Sequence, residues 1–393
     1  MKKKILGMVL AGVMVVGLLA GCGAKGNDAA TTEGGETTEA TEETEVVEET
    51  EVAEETEVAE ETSAEGYELA LITDVGTIDD KSFNQGSWEG VVAYAEENGI
   101  THKYYKPSEK SSEAYLASID LAIKGGAKVI VCPGFLFEEP IYTAQTKYPD
   151  TTFILIDGAP HPGDYNISIE QNTLSIFYAE EQAGYLAGYA AVVEGNTKLG
   201  FMGGIAVPAV IRFGYGYIQG ADQAAKDLGV SDVSVKYTYV GNFDATPENM
   251  AKAASWFNEG TEVIFACGGA VGNSVMKAAE TADRKVIGVD VDQSNESETV
   301  ITSAMKNLQK SVYDALAQFY ANEFPGGQSL TLDASNEGVQ LPMETSRFET
   351  FDQAKYDEIY KGLADGSIKV ENDAVGESPN DVTVEIVTVE SVE

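Results

Sequence analysis

Residues Val286–Gln293 read Val-Ile-Gly-Val-Asp-Val-Asp-Gln. A short apolar run followed at once by polar residues is typical of a strand that is buried on both faces of a parallel sheet and ends at a cleft. The same pattern recurs along the chain. Strand-like apolar runs also cover residues 68–72, 129–132, 153–156, 198–202, 235–239 and 263–266.

Helical patterns separate these runs. They cover residues 84–98, 115–124, 176–193 and 247–259, and the last opens with Thr246-Pro247, a capping residue followed by proline. The alternation of buried strands and helices predicts an α/β fold with parallel sheets. Because the rhythm restarts near Lys198, we expect two similar halves, each with its own sheet.

Polar, glycine and aromatic residues follow the predicted strand ends. In a parallel α/β sheet, ligands bind outside the carboxyl ends of the strands, so we expect these residues to line one cleft. They are residues 74–84, 133–135, 157–158, 203–213, 241–243, 268–269 and 290–293.

Composition excludes some classes of function. The 393 residues have a formal net charge of -40 at pH 7, and residues 31–65 contain fifteen glutamates and no Lys or Arg. An acidic chain repels phosphate backbones, so we expect no nucleic-acid partner. Cys132 and Cys267 lie in apolar runs, and His102 and His161 lie in polar, loop-like stretches. No zinc-like spacing joins them, so we expect no metal, no cofactor and two buried thiols, with a disulfide between the two cysteines as an alternative.

The first 22 residues have the parts of an export signal. Three lysines precede an apolar run that is about fifteen residues long, shorter than the ~20 that a membrane span needs. The run ends at Leu19-Ala20-Gly21-Cys22, which resembles the lipobox of bacterial lipoproteins. That resemblance implies a lipid on Cys22 and a protein anchored at the outer face of the cytoplasmic membrane. An ordinary signal peptide is the alternative, and residues 23–66, which are rich in Glu and Thr, are predicted to be a disordered acidic tether.

Several motifs follow in a fixed order. Residues Asp79–Gln85 read Asp-Asp-Lys-Ser-Phe-Asn-Gln and are followed by Trp88-Glu89-Gly90. Further motifs lie at residues 133–138, 155–158, 187–189, 212–213, 286–294 and 302–307. Together they resemble the basic membrane protein family, the substrate-binding lipoproteins of ABC importers that include the purine nucleoside receptor A group. The resemblance covers about residues 67–364.

The resemblance implies a two-lobed type I periplasmic-binding-protein fold, in which each lobe is a parallel sheet flanked by helices and the chain crosses between lobes three times. The bilobal domain would cover residues 67–393, with lobe 1 at about 67–175 and 302–330 and lobe 2 at about 176–300 and 331–370. A helix at residues 309–324 would return to the first lobe. The chain after Glu371 has no assignment in the family's core.

The resemblance also implies a function. The chain would capture a nucleoside, with a purine expected, and deliver it to the permease subunits of an ABC importer. Phe83 from the first lobe and Phe213 from the second would stack on the base, a contact worth ~1–3 kcal/mol per base. Gly268 and Gly269 would let the ligand approach the main chain closely. Ordinary core packing is the alternative role for either phenylalanine.

Acidic and basic side chains would hold the ribose and the base edges. Asp290 is the candidate for gripping two adjacent hydroxyls, because a carboxylate accepts strong charge-assisted hydrogen bonds. Lys306 would donate to ribose oxygens and pair with Asp290 when the cleft is empty. Asn84 and Asp80 would reach the base edge. Each residue also has an ordinary structural alternative. Asp290 could be a turn or helix-cap aspartate, Lys306 a surface lysine, and Asn84 and Asp80 helix caps.

Other functions remain as alternatives. A sugar or autoinducer receptor of the same fold would use similar aromatic and acidic groups. An enzyme is not expected, because neither histidine lies in a nucleophile pattern and no Gly-x-Ser-x-Gly motif is present. A surface adhesin that works through its acidic tether is the third class.

Overall fold

The computed structural model describes residues 66–392, so the predicted signal peptide (residues 1–22), Cys22 and the tether as far as residue 65 lie outside the described residues. Within this range the chain forms thirteen β-strands. They are β1 (Leu69–Ile72), β2 (His102–Tyr105), β3 (Val129–Pro133), β4 (Thr152–Ile156), β5 (Thr173–Tyr178), β6 (Lys198–Gly203), β7 (Ser234–Tyr239), β8 (Val263–Cys267), β9 (Lys285–Asp290), β10 (Val300–Lys306), β11 (Gln328–Leu332), β12 (Val339–Gln340) and β13 (Thr388–Ser391).

Nine α-helices connect the strands in the same part of the chain. They are α1 (Phe83–Asn98), α2 (Ser112–Lys124), α3 (Glu138–Lys147), α4 (Glu180–Val193), α5 (Pro208–Leu228), α6 (Pro247–Asn258), α7 (Val271–Ala282), α8 (Leu308–Tyr320) and α9 (Gln353–Ala364). Helix α6 begins at the predicted Thr246-Pro247 signal, where the Thr246 hydroxyl accepts a main-chain N–H bond. None of these helices has the length and apolarity that crossing a membrane requires.

The strands form two sheets. Six of them, in the order β11-β5-β4-β3-β1-β2, are all parallel. The other seven, in the order β12-β10-β9-β8-β6-β7-β13, are parallel except for β12, which is antiparallel to β10. The chain passes to the second sheet after β5, returns after β10 and passes again after β11. Two sheets joined by three crossings confirm the predicted fold class.

Both faces of the central strands are buried, which explains their nearly continuous apolar sequences. In β1, Leu69 and Leu71 pack into one hydrophobic cluster, while Ala70 and Ile72 pack into another on the opposite face. Strand β8 behaves in the same way in the second sheet. Because side chains alternate between the faces of a strand, helices must cover each sheet on both sides.

Three structural assignments that were made from the sequence are wrong. The helix predicted from Ile176 begins instead at Glu180, because residues 173–178 pair with β4 and β11 as β5. His102 does not lie in a loop but begins β2, where it pairs with Leu69. Residues 302–306, expected in the first lobe, belong to the second sheet, because β10 pairs with β9. Helix α8 and strand β11 return to the first lobe, where α8 packs on α1 and β11 pairs with β5.

The chain after Glu371, unassigned from sequence, is part of the second lobe. Strand β13 adds to the sheet beside β7. The Asp222 carboxylate on α5 accepts three main-chain N–H bonds from residues 385–387, at 2.6 to 3.0 Å. The Gln219 amide exchanges two hydrogen bonds with the main chain of Glu371, at 2.7 and 2.8 Å. This C-terminal segment therefore binds along one face of α5.

Helices α4 and α5 are in main-chain contact at four glycines, Gly184 and Gly188 on α4 and Gly216 and Gly220 on α5. A Cβ added to Gly216 would lie 1.9 Å from the carbonyl oxygen of Glu181. The glycines of each helix are four residues apart, so both lie on the same helix face. Only glycine lets the two main chains come this close. The contact therefore fixes the start of α4 relative to the start of α5.

We predict that Gly216→Ala lowers the free energy of unfolding by about 3 kcal/mol, because the added methyl group overlaps a main-chain oxygen that belongs to another helix. Chemical denaturation of a chain that begins after Cys22 measures this change. Gly272→Ala is the matched control, since its Cβ would meet no atom closer than 3.7 Å in helix α7. We expect the control to gain about 0.5–1 kcal/mol from helix propensity. Equal effects from both substitutions would contradict the role of the glycine contact.

Candidate functional site

A cavity of about 790 Å³ lies at the carboxyl ends of strands from both sheets. Many of the residues that line it lie at or just after the ends of β1, β3 and β4 in the first sheet and of β6, β8, β9 and β10 in the second. All the residues that the sequence analysis proposed for ligand binding line this cavity: Asp80, Phe83, Asn84, Phe213, Gly268, Gly269, Asp290 and Lys306.

Lys306, the last residue of β10, has its ammonium group among three acids. Its Nζ atom lies 2.5 Å from Asp157 Oδ2, 3.5 Å from Asp290 Oδ1 and 3.6 Å from Glu180 Oε1. Burial by itself lowers the pKa of Lys306, but attraction to Asp157, Asp290 and Glu180 outweighs burial and raises it. The lysine is therefore charged at neutral pH. Its nearest partner is Asp157 of the first sheet rather than the expected Asp290.

Asp290, the last residue of β9, connects the two lobes. Its Oδ2 atom accepts a hydrogen bond of 2.5 Å from the Ser82 hydroxyl in the first lobe. Burial raises the pKa of Asp290, while Lys306 and Ser82 act in the opposite direction. Asp290 and Asp157 both have left-handed backbones, with φ of 67° and 56°. Such conformations are costly for residues other than glycine and cluster at functional sites.

Two phenylalanines from different lobes flank the same ammonium group. Nζ of Lys306 lies 4.5 Å from the ring centre of Phe83 and 5.8 Å from that of Phe213. Phe83 is the first residue of α1 and is half-buried. Phe213 on α5 is 1% exposed and packs edge-on against Phe265. The cavity therefore has an aromatic side chain in each lobe, and the Phe83 side chain is the more accessible of the two.

Asp80 and Asn84 form a hydrogen-bonded group at the start of α1. The Asp80 carboxylate accepts main-chain N–H bonds from Ser82, Asn84 and Gln85 at 2.9 to 3.1 Å, so it caps the helix. The Asn84 amide nitrogen donates to Asp80 and to Asp74, at 2.9 Å each. Burial raises the pKa of Asp74 and of Asp80, while the hydrogen bonds from Asn84 lower it. Asp74, which also lines the cavity, lies in the stretch 74–84 that was expected to line the cleft, but it was not proposed as a binding residue.

Gly268 and Gly269 lie just after β8. A Cβ on Gly268 would lie 2.7 Å from the main-chain nitrogen of Gly204, so the neighbouring loop already requires glycine there. Gly269 has a left-handed backbone with φ of 54°. The need for glycine at these two positions therefore has a structural cause as well as the expected ligand-related one.

Residues 67–374 match the family described as ABC transporter substrate-binding protein PnrA-like. The chain belongs to this family. A similar protein is the ABC transporter nucleoside-binding protein BmpA of Lactococcus lactis, which is 28% identical over 94% of this chain and 99% of that protein.

Solved structures that are similar to this chain in fold include two solute-binding proteins of ABC transporter systems. The protein from Aeropyrum pernix has a TM-score of 0.67 and 23% identity, covering 78% of this chain and 93% of its own. The protein from Conexibacter woesei has a TM-score of 0.63 and 24% identity, covering 78% of this chain and 99% of its own. At these identities the comparison shows the fold, which agrees with the predicted two-lobed architecture.

Membership of the PnrA-like family makes the chain a substrate-binding protein of an ABC transporter. The predictions that it belongs to this family and is not an enzyme are therefore confirmed. The family implies a ligand and permease partners, and it is consistent with a position outside the cytoplasm.

Sequence reasoning missed several polar residues of this PnrA-like site. Asp157 and Arg212 lie within stretches that the motifs covered, but neither was proposed as a site residue. Glu180 begins α4 and accepts a hydrogen bond of 2.6 Å from Arg212 Nε, while Arg212 Nη1 lies 3.4 Å from Asp373. Asp157 directly follows β4, and a polar residue after that predicted strand was the available sequence signal. Glu180 had no such signal, because residues 176–193 were predicted as one helix.

We predict that Glu180→Gln changes how stability depends on pH. Burial raises the pKa of Glu180 from 4.5 to about 7 despite the opposing attraction of Arg212. Between these two values Glu180 holds a proton in the folded protein that it has lost in the unfolded chain, so the stability that this group contributes at low pH is lost as pH rises. The free energy of unfolding, measured from pH 5 to 7, should therefore fall less steeply in the variant. Glu96→Gln, at an exposed position, is the control and should retain the wild-type slope.

Proposed function

We propose that this chain captures a nucleoside, with a purine expected, between its two lobes and delivers it to the permease subunits of an ABC importer. The observation that carries the proposal is the pair of phenylalanines, Phe83 and Phe213, that flank Lys306 from opposite lobes of one cavity. The name of the Lactococcus lactis relative, a nucleoside-binding protein, supports the same ligand class.

The aromatic side chains suit the base. A purine offers two flat faces, and base–aromatic stacking is worth ~1–3 kcal/mol per base while tolerating different bases. Phe83 would cover one face from the first lobe. Phe213 would contact the ligand from the second lobe through the edge that the cavity exposes. Because the two contacts come from different lobes, the ligand favours the closed arrangement of the lobes.

Acidic side chains suit the ribose. Oδ1 of Asp157 is buried and accepts no hydrogen bond from any residue in the range 66–392. A buried carboxylate oxygen without a donor carries a desolvation cost that a ligand hydroxyl or N–H group would remove. Asp290 offers a second carboxylate at the same cavity, and Lys306 between them can donate to a ribose oxygen.

The base edge would meet the group formed by Asp74, Asp80 and Asn84. Both hydrogen bonds donated by the Asn84 side chain go to these two acids. Asn84 therefore orients the carboxylates of Asp74 and Asp80. We propose that Asp74 accepts a hydrogen bond from the base. The cap formed by Asp80 holds the start of α1, from which Phe83 projects.

The charge of the cavity favours an uncharged ligand. Its walls contain seven acidic side chains, Asp74, Asp79, Asp80, Glu138, Asp157, Asp244 and Asp290, against three basic ones, Lys106, Arg212 and Lys306. In a partly buried site, excess carboxylates repel a phosphate group. We therefore propose a nucleoside rather than a nucleotide.

Binding assays on the exported chain test the ligand. We expect nucleosides to raise the melting temperature, since a ligand at 100 times its dissociation constant adds ~2.7 kcal/mol of stability. Phe83→Ala should weaken nucleoside binding by about ten- to a hundred-fold in calorimetry, because one stacking contact is lost. Asp290→Asn should also weaken binding, and Tyr104→Ala, which removes an exposed aromatic ring outside the cavity, should not.

Two results would contradict this proposal. Stabilisation by sugars without stabilisation by nucleosides would reassign the ligand. Unchanged nucleoside affinity in both Phe83→Ala and Asp290→Asn would show that the ligand binds outside the described cavity.

We further propose that a lipid on Cys22 anchors the protein at the outer face of the cytoplasmic membrane, with residues 23–66 as the tether. The sequence Leu19-Ala20-Gly21-Cys22 after an apolar run supports this anchor. A protein held at the membrane surface also stays close to its permease, which raises the effective concentration for delivery.

Replacing Cys22 by alanine tests anchoring and delivery together. We expect the variant to move from the membrane fraction into the soluble fraction, because the lipid has lost its attachment site. Cells that carry it should take up labelled nucleoside more slowly, while the purified variant binds nucleoside as the wild type does. Membrane retention of the variant would disprove the anchor, and normal uptake after release would disprove the need for anchored delivery.

A further inference from the structure

The segment between β4 and β5 runs from the interior of the cavity to its opening. It begins at Asp157, which pairs with Lys306, and continues through residues 158–168 before β5 starts at Thr173. Tyr165 in this segment lines the cavity, yet the residue is 82% exposed. An accessible aromatic ring on the cavity wall contributes little to folding.

A buried histidine holds this segment in place. His161 is 5% exposed, and its Nδ1 atom accepts a hydrogen bond of 3.0 Å from the main chain of Gly163. Its Nε2 atom therefore carries the proton and donates to Glu138 at 3.1 Å. Glu138 also accepts from the main chain of Ala159 at 3.1 Å and lines the cavity itself.

Further bonds close the segment at its other end. The main chain of Ser168 donates to Pro160 at 2.9 Å and accepts from the Gln145 side chain at 2.8 Å. Proline at positions 160 and 162 restricts the backbone further. The segment that presents Tyr165 is thus fixed from within the first lobe.

Tyr165 also has a strained backbone. Its φ of 60° is left-handed, which is unfavourable for a bulky residue. The Tyr165 ring lies 4.8 Å from the His161 ring, so the conformation is held by the same histidine that fixes the loop. Backbone strain combined with an exposed aromatic side chain at a cavity is the arrangement expected of a residue retained for binding.

We infer that Tyr165 is a third aromatic contact for the ligand, which covers the planar base at the opening of the cavity and slows its release. This inference rests on the proposed function. Ile167, two residues on, is 62% exposed but does not line the cavity. A docking surface for the permease would use Tyr165 and Ile167 alike, whereas a ligand contact uses Tyr165 alone.

Ligand release measured by stopped flow tests the inference. The probe is 2-aminopurine riboside, a purine nucleoside whose fluorescence falls when it stacks on an aromatic ring. We expect Tyr165→Ala to raise the release rate about ten-fold, as the loss of one stacking contact implies. Tyr165→Phe should release the probe at the wild-type rate, because the ring and not the hydroxyl makes the contact. Ile167→Ala is the matched control on the same segment and should also release at the wild-type rate.

The outcomes separate the inference from the proposed function. A wild-type protein that does not bind the probe or any other nucleoside overturns both. A wild type that binds while Tyr165→Ala releases at the same rate overturns the inference alone. Unchanged release in Tyr165→Ala and Ile167→Ala, with slower uptake by cells carrying either variant, would assign the segment to the permease. Because Tyr165 is exposed, the melting temperature of each variant without ligand should match that of the wild type.

Discussion

The ammonium group of Lys306 is almost completely buried, and its charge is stable there only because Asp157, Asp290 and Glu180 surround it. The three acids come from different parts of the fold: the end of a first-sheet strand, the end of a second-sheet strand and the helix that follows the first crossing. Each of them also costs free energy to bury, so neither the lysine nor the acids would be stable alone. This mutual dependence couples the two lobes at the position where the ligand is proposed to bind.

The helix pair α4 and α5 sets the geometry around that charge. Four glycines bring the two main chains into contact, so Glu180 at the start of α4 lies beside Arg212 on α5. Phe213 follows Arg212 and contributes to the cavity wall from the same helix. The C-terminal segment then binds along one face of α5 through Gln219 and Asp222. Packing that is remote from the cavity thus determines which side chains line it.

Much of this arrangement was predictable because it has a local cause. Strands such as β3 and β8 are buried on both faces and therefore have apolar sequences. Strand β2 was missed because it lies at a sheet edge, where its His-Lys-Tyr-Tyr sequence is largely exposed. Strand β5 was missed because its apolar residues merge with those of α4 into one helical pattern. The Lys306–Asp157 pair joins residues 149 positions apart in different sheets, and no local pattern selects one carboxylate from several nearby.

The two cysteines of the described domain have a practical consequence. Cys132 and Cys267 are both free and buried, and burial raises the pKa of each thiol well above its ordinary value. Since the thiolate is the reactive form, neither residue should couple efficiently to a maleimide dye. A version of the chain that begins after Cys22 would therefore accept a fluorophore only at a cysteine introduced by design. Placed on the segment between β4 and β5, which carries the exposed Tyr165, such a label would report ligand binding by a change in its fluorescence.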